Sequence, residues 1–302
     1  MTTVNVRSLN YVVTSNKEHK LVLWNLETGN IFHTYKDING HSGYIYCLHS
    51  FKHKYDQIIV SGSDDHSIKV WSFNNLNLKN TLSSHELPVI CVTSFITDKN
   101  TLLVSGSDDK SIKIWDPVLG VLLNTFIGHN SFVSCLEIIY VHSKVLIASG
   151  SGDKTIKIWN PNMGHQDCLD KTLNGHNNFV NCLSKMEIDS KIYLVSGGSD
   201  NLVNIWDVDT GKIVNSIRVD TCYKIFVNSL CTITINNKTF IVCGCTDSNI
   251  KIIDPGSGFL IYNLKGHKSY VNCLSTIDIS FRGKKQKAFL SGSTDNFIRL
   301  WI

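Results

Sequence analysis

Apolar residues along this chain fall in short runs, and polar turn residues separate the runs at regular intervals. Phe132-Val-Ser-Cys-Leu-Glu137 alternates in and out, Val145-Leu-Ile-Ala-Ser149 is continuous, and Thr155-Ile-Lys-Ile-Trp159 alternates again. Gly150-Ser-Gly-Asp153 stands between the last two. Period-two runs bounded by Gly, Ser, Asn and Asp predict strands, and nowhere is there room for a helix between them. The same texture returns at a fixed distance. Trp24, Trp71, Trp115, Trp159, Trp206, Ile253 and Trp301 close successive copies at gaps of 47, 44, 44, 47, 47 and 48 residues. Each anchor is followed by one more strand, such as Val121-Leu-Leu-Asn-Thr-Phe126 or Lys212-Ile-Val-Asn-Ser-Ile217. A four-strand unit cannot bury both of its faces alone, so the units must stack on one another. The expectation is an all-β, seven-bladed β-propeller of four-stranded antiparallel blades, forming one domain over residues 1–302.

Several polar residues repeat with the anchors. His41, His85, His129 and His176 stand 30 residues before their tryptophans, and His267 stands 34 before Trp301, the excess being the basic insertion from Arg282 to Lys287. Asp65, Asp109, Asp153, Asp200, Asp247 and Asp295 stand six before their anchors, and Ser61, Ser105, Ser149, Ser196 and Ser291 ten before. These offsets resemble the WD-repeat (WD40) family, across almost the whole chain. The resemblance implies a buried relay in each repeat, in which Asp meets His, His meets Ser, and Ser reaches the indole of Trp71, Trp115, Trp159, Trp206 or Trp301. A Ser/His/Asp set also invites a hydrolase reading. Five copies at repeat spacing are scaffolding, because a triad needs one nucleophile facing a cleft beside an oxyanion site.

Two repeats depart from the pattern. The sixth has Tyr223 for His, Cys243 for Ser and Ile253 for Trp, keeping only Asp247, and is expected to be the softest blade. The first has Thr14 and Glu18 in place of Ser and Asp. At the ends of the sequence, Thr3 to Ser8 can supply one strand only, which is assigned to blade 1, leaving blade 7 with three strands. Phe297 to Trp301 would then be an edge open to a partner's strand, or one completed by residues outside this sequence.

By the same resemblance, the loops entering each first strand and the Asp turns share one face at the mouth of a central channel. The position before the first-strand valine reads Tyr44, Pro88, Phe132, Phe179, Phe226 and Tyr270, and the one after it Tyr46, Ile90, Ser134, Asn181, Asn228 and Asn272. Aromatic residues rimmed by amides make a peptide-binding surface, since Tyr and Phe give much contact area for little entropy. Of these, Tyr44, Tyr46, Phe132, Phe179, Asn181, Phe226, Asn228, Tyr270 and Asn272 are the candidate partner-binding residues. Lys69, Lys113, Lys157, Lys251 and Arg299, two before each anchor, are expected to run their stems over the blade with heads in water.

Composition narrows the function. The formal charge of +4 is mild and the lysines are dispersed, which argues against nucleic acid. No apolar stretch reaches the roughly 18 residues of a membrane-spanning helix. The N-terminal residues lack the pattern of a secretory signal, so the expected location is cytoplasm, nucleus or both. Of ten cysteines, Cys47, Cys91, Cys135, Cys182 and Cys273 occupy one strand site and read as small core residues. Cys243-Gly-Cys245 is too tight for a zinc pair, and Cys168 and Cys222 fall in expected loops. No metal or cofactor is expected. The reading is a non-catalytic interaction scaffold, a monomeric propeller acting within a complex and binding peptides or domains of other proteins. The alternatives are a substrate-recruiting subunit of a larger complex such as a ubiquitin ligase, and an enzyme using the propeller mouth.

Overall fold

The computed structural model describes residues 1–6, 9–35, 40–98, 100–163, 168–221, 224–281 and 284–302. Among them every regular element that repeats is a strand, and the strands form seven antiparallel sheets, the blades of a seven-bladed β-propeller. Blades 1 to 6 have four strands and blade 7 has three. Strand order within each follows the chain, as expected for hairpin-connected meanders. The chain divides into two compact units, residues 1–136 and 137–302.

In the first unit, blade 1 opens with Thr2–Val6, which pairs with Leu9–Ser15 and sets Val4 opposite Tyr11. The N-terminal residues therefore belong to blade 1, while Arg7 and Ser8 lie outside the described residues. Blade 1 continues with Leu21–Asn25 and Ile31–Tyr35. Blade 2 is Ile45–His53, Asp56–Ser63, Ser67–Ser72 and Asn77–Ser83. Blade 3 is Val89–Ile96, Thr101–Ser107, Ser111–Asp116 and Val121–Ile127. The third strand of blade 2 is buried along its whole length, whereas the fourth alternates with solvent. Middle strands are covered on both faces by their neighbours, so even the polar residues of the third, Ser67, Lys69 and Ser72, are buried. The core lies between blades: Val60, Ile68 and Val70 of blade 2 pack with Leu103 and Trp115 of blade 3. Burying each such aliphatic side chain stabilises by roughly 1.5–3 kcal/mol.

The repeated cysteine has a more specific role than filling space. The Cys47 thiol donates to the Val89 carbonyl at 3.8 Å and the Cys91 thiol to the Val133 carbonyl at 3.5 Å, each reaching the first strand of the following repeat. A glycine faces each contact. A Cβ on Gly106 would meet Val133 Cγ1 at 2.6 Å and Cys91 Sγ at 2.7 Å, so the glycine of Ser105-Gly-Ser107, at the end of the second strand, has no room for a side chain.

The second unit holds the rest of blade 4, from the strand Val133–Val141 that crosses the division, with Lys144–Ser151, Thr155–Trp159 and Leu169–Asn174. Blade 5 is Val180–Ile188, Lys191–Gly198, Leu202–Asp207 and Ile213–Arg218. Blade 6 is Val227–Ile235, Lys238–Cys245, Ile250–Ile253 and Leu260–Leu264. The thiol strap recurs from Cys182 to the Val227 carbonyl at 3.7 Å, and the Ser229 hydroxyl makes the same reach to Val271 at 3.5 Å. Blade 7 is Val271–Phe281, Lys284–Ser293 and Ile298–Trp301. Its insertion lengthens the first hairpin, with Phe281 opposite Lys284, and Arg282 and Gly283 lie outside the described residues. Cys168 is buried and not in an exposed loop, while Cys222 lies outside the described residues.

Candidate functional site

The buried polar relay is built by register. Ser105 lies opposite Lys113, two residues along from the Leu103–Trp115 pairing and on the same face, so the indole of Trp115 reaches diagonally to Ser105. Trp115 Nε1 donates to Ser105 Oγ at 2.8 Å, and Ser105 Oγ lies 2.7 Å from His85 Nε2. His85 Nδ1 lies 2.7 Å from Asp109 Oδ2. The Asp109 carboxylate can only accept, so His85 Nδ1 carries the proton facing it, and Nε2 of the neutral ring accepts the Ser105 hydroxyl hydrogen. Each polar atom along this relay then has a partner, which a buried network requires. The Asp109 carboxylate also accepts from the backbone N–H of Glu86 and Ser111 and from the Ser111 hydroxyl. Burial alone would raise its pKa, but those bonds outweigh burial and hold it well below the usual carboxylate range.

Blade 2 repeats the relay with Trp71, Ser61, His41 and Asp65. Blade 5 does so with Trp206, Ser196, His176 and Asp200, and blade 7 with Trp301, Ser291, His267 and Asp295. In blade 4 the Trp159 indole donates to Ser149 at 2.8 Å, Asp153 accepts from the backbone N–H and hydroxyl of Thr155, and His129 is buried. In blade 1, Thr14 takes the serine's place and accepts from Trp24 at 2.9 Å. Glu18 pairs with Lys20 at the surface.

Blade 6 departs from the sequence expectation. Asp247 is not left alone, and Lys251 does not hold its head in water. The Lys251 side chain is fully buried, with Nζ 2.6 Å from Asp220 Oδ2 and 3.2 Å from Asp247 Oδ2. Burial disfavours the ammonium, but the hydrogen bond from Lys251 to Asp220 and the charge of Asp247 outweigh it and raise its pKa. An ion cluster thus occupies the ground that the relay holds elsewhere, beside the buried Cys243 and Cys245. The sequence signal was present: Lys251 stands four after Asp247 in the one repeat that lacks His, Ser and Trp together. Tyr223 lies outside the described residues. The corresponding lysines 69, 113 and 157 reach threonines of the fourth strand, Thr81, Thr125 and Thr172, at 3.2, 3.4 and 2.9 Å. Arg299 lies over the Phe297 ring at 5.5 Å.

The candidate binding residues are placed by two local devices. The backbone carbonyl before the first-strand valine accepts from a turn N–H in the same repeat: Tyr44 from Asp64, Phe179 from Ser199, Phe226 from Thr246 and Tyr270 from Thr294. The residue after the valine is the extra one in a β-bulge, since Ile45 and Cys47 face consecutive residues Ser63 and Gly62, leaving Tyr46 unpaired. Asn181, Asn228 and Asn272 sit in the same bulge in their repeats. In the first unit, Tyr44 and Tyr46 are more than half exposed, with Tyr46 Oη donating to Asp64 at 3.1 Å, and Phe132 is half-buried. In the second unit Phe179, Phe226 and Tyr270 are exposed. The asparagines there do more than rim them: Asn181 donates to Val227 O at 3.0 Å, Asn228 to Asn272 Oδ1 at 3.4 Å and Asn272 to Thr294 Oγ1 at 2.9 Å. Amide groups expected to face a ligand are therefore partly committed to holding neighbouring blades together.

Five stretches of the sequence, 31–72, 76–116, 120–160, 168–207 and 258–301, match the family model described as WD domain, G-beta repeat. The chain belongs to the WD40-repeat family. The two long parts left unmatched, 1–30 and 208–257, contain the first and sixth repeats, where the WD40 relay is altered. No curated protein matches the chain. Among solved structures, the crystal structure of the computationally designed Ika8 protein matches with a TM-score of 0.70 and 26% identity, over 99% of this chain and 82% of that one. WD40 domains generally bind other proteins and are typically non-catalytic scaffolds.

Proposed function

We propose that this protein is a non-catalytic WD40 scaffold that docks peptides or domains of partner proteins on the face carrying the loops into the first strands. The observation that carries the reading is the row of exposed aromatics in the second unit, Phe179, Phe226 and Tyr270. Their backbone is pinned to the turns and their neighbours are tied blade to blade, so the aromatic surface is presented with little further ordering to lose. Exposed apolar surface that folding does not need marks interaction. Against an enzyme stands the repetition of the Ser/His/Asp set, whose serines are fully buried and committed to indoles.

The test is affinity capture from the source cell with wild-type protein and a Phe179→Ala, Phe226→Ala, Tyr270→Ala variant side by side, with bound proteins identified by mass spectrometry. A partner captured by the wild type and lost from an equally stable variant supports the face. Identical captures refute it.

A further inference from the structure

A groove of about 670 Å³ opens between the first two blades, at the opposite end of their strands from Tyr44 and Tyr46. Its floor is Tyr11 and Phe73, whose rings meet edge to face at 5.1 Å. Phe32 lies 5.0 Å from Tyr11 and stacks on Phe73 at 6.1 Å, yet remains nearly half exposed. It projects because it is a bulge residue: Trp24 pairs with Ile31 and Leu23 with His33, leaving Phe32 over. Opposite stands Tyr55, 97% exposed at the tip of the turn that follows Lys54, with its carbonyl held by Asn74 Nδ2 at 2.8 Å. The groove is thus walled by aromatic rings with polar groups between them and unfilled by the described side chains, and its volume is that of an ordinary ligand site.

Its uncompensated charge has one sign. Asp56, the only acidic residue there, is spent on Lys79 at 2.8 Å, the Ser72 hydroxyl at 2.7 Å and the Asn74 N–H. What remains can donate. Most of Tyr11 is buried, but its hydroxyl, which has no hydrogen-bond partner among the described residues, stays accessible at the groove. The Lys52 ammonium and the Gln57 side-chain amide, also in the lining, make no ion pair or hydrogen bond among them either. A phenol, an ammonium and an amide beside aromatic walls complement a carboxylate next to a bulky apolar group.

We propose that this groove docks an extended acidic segment of a partner protein, in which a bulky apolar side chain flanked by carboxylates enters against Phe32 and Phe73 while a carboxylate meets Lys52. It is a second docking site, separate from the aromatic face. The probe is a fluorescein-labelled hexapeptide of alternating aspartate and phenylalanine, titrated with the full chain and read by fluorescence anisotropy. The control peptide carries lysine for aspartate. The aspartate peptide binds and the lysine peptide binds at least about tenfold more weakly, the effect of losing one charge-assisted contact. Lys52→Glu and Tyr55→Ser alter exposed side chains and Tyr11→Phe removes only an oxygen, so all three variants retain the wild-type melting temperature. Lys52→Glu weakens the aspartate peptide about tenfold, and Tyr11→Phe and Tyr55→Ser each severalfold. The Phe179, Phe226, Tyr270 variant binds the peptide as wild type does, so the two sites fail separately. No binding of the aspartate peptide up to about 1 mM, equal binding of the two peptides, or undiminished binding by Lys52→Glu would overturn the proposal.

Discussion

Replacing Lys251 by methionine, beside the same replacement at Lys113, separates an ion cluster from ordinary repeat packing. Both lysines stand two before their anchors, and both substitutions preserve an unbranched stem. Lys113 loses one bond of 3.4 Å to Thr125, on a partly exposed residue, so its cost stays within about 0.5 kcal/mol. Lys251 is fully buried, and its removal takes away the ammonium that Asp220 and Asp247 share. Breaking a buried pair by deleting one partner costs roughly 3–5 kcal/mol, and because Asp220 is about a third exposed we take the lower figure, about 3 kcal/mol. At a urea dependence of about 2–3 kcal/mol per molar, the first unfolding midpoint drops by roughly 1 M, against less than about 0.3 M for Lys113→Met. Adding Asp220→Asn and Asp247→Asn to Lys251→Met recovers more than half of the loss, since neutralising the whole set leaves no unpaired charge. The pKa of Lys251 is raised on folding, so its contribution is in place below the unfolded lysine value near 10.4 and is lost only as pH rises through the folded value. The gap between the two variants is therefore equal at pH 6 and pH 9. Equal midpoints for Lys251→Met and Lys113→Met would refute the account.

Asp109→Ala orphans the buried His85 Nδ1 proton and costs about 2 kcal/mol in the same urea assay, whereas Glu18→Ala in blade 1 is neutral within about 0.5 kcal/mol. Asp65, Asp109 and Asp295 all have lowered pKa values, so their contribution is complete above the unfolded value near 3.9 and is lost as pH falls toward the folded ones. Acid unfolding of the wild type accordingly begins below about pH 4, and the Asp109→Ala protein shows a smaller loss of stability over that range. Cys91→Ser keeps the strap to Val133 and is tolerated, as Ser229 already shows in blade 6, whereas Gly106→Ala drives a Cβ into Cys91 and Val133 and costs about 1–3 kcal/mol by thermal unfolding.

The spacing of anchors and the alternation between them were enough to deduce seven blades, because a strand's side chains repeat every two residues and each blade repeats the same packing problem. The relay was also legible, since its four members keep fixed offsets and backbone register converts offset into distance. Ser105 to Trp115 is ten residues along the chain and 2.8 Å in space for that reason. Even the three-stranded seventh blade and the assignment of the first strand followed from counting strands against residues.

What the sequence left open was decided where partners come from different blades. Lys251 and Asp247 are four apart, but Asp220, which completes the cluster, stands 31 residues away on the far side of two strands. The thiol of Cys91 finds a carbonyl 42 residues on, so a residue that looked like filler is a strap. Asn181 and Asn228 each also reach the next blade, a tie that their position in the repeat does not announce. The groove beneath Phe32 follows from a bulge that no local propensity marks, and from the packing of two blades that sets Tyr11 against Phe73. Period and alternation are properties of one strand and can be read along the chain. Charge compensation, straps and grooves belong to pairs of blades, and only folding brings those together.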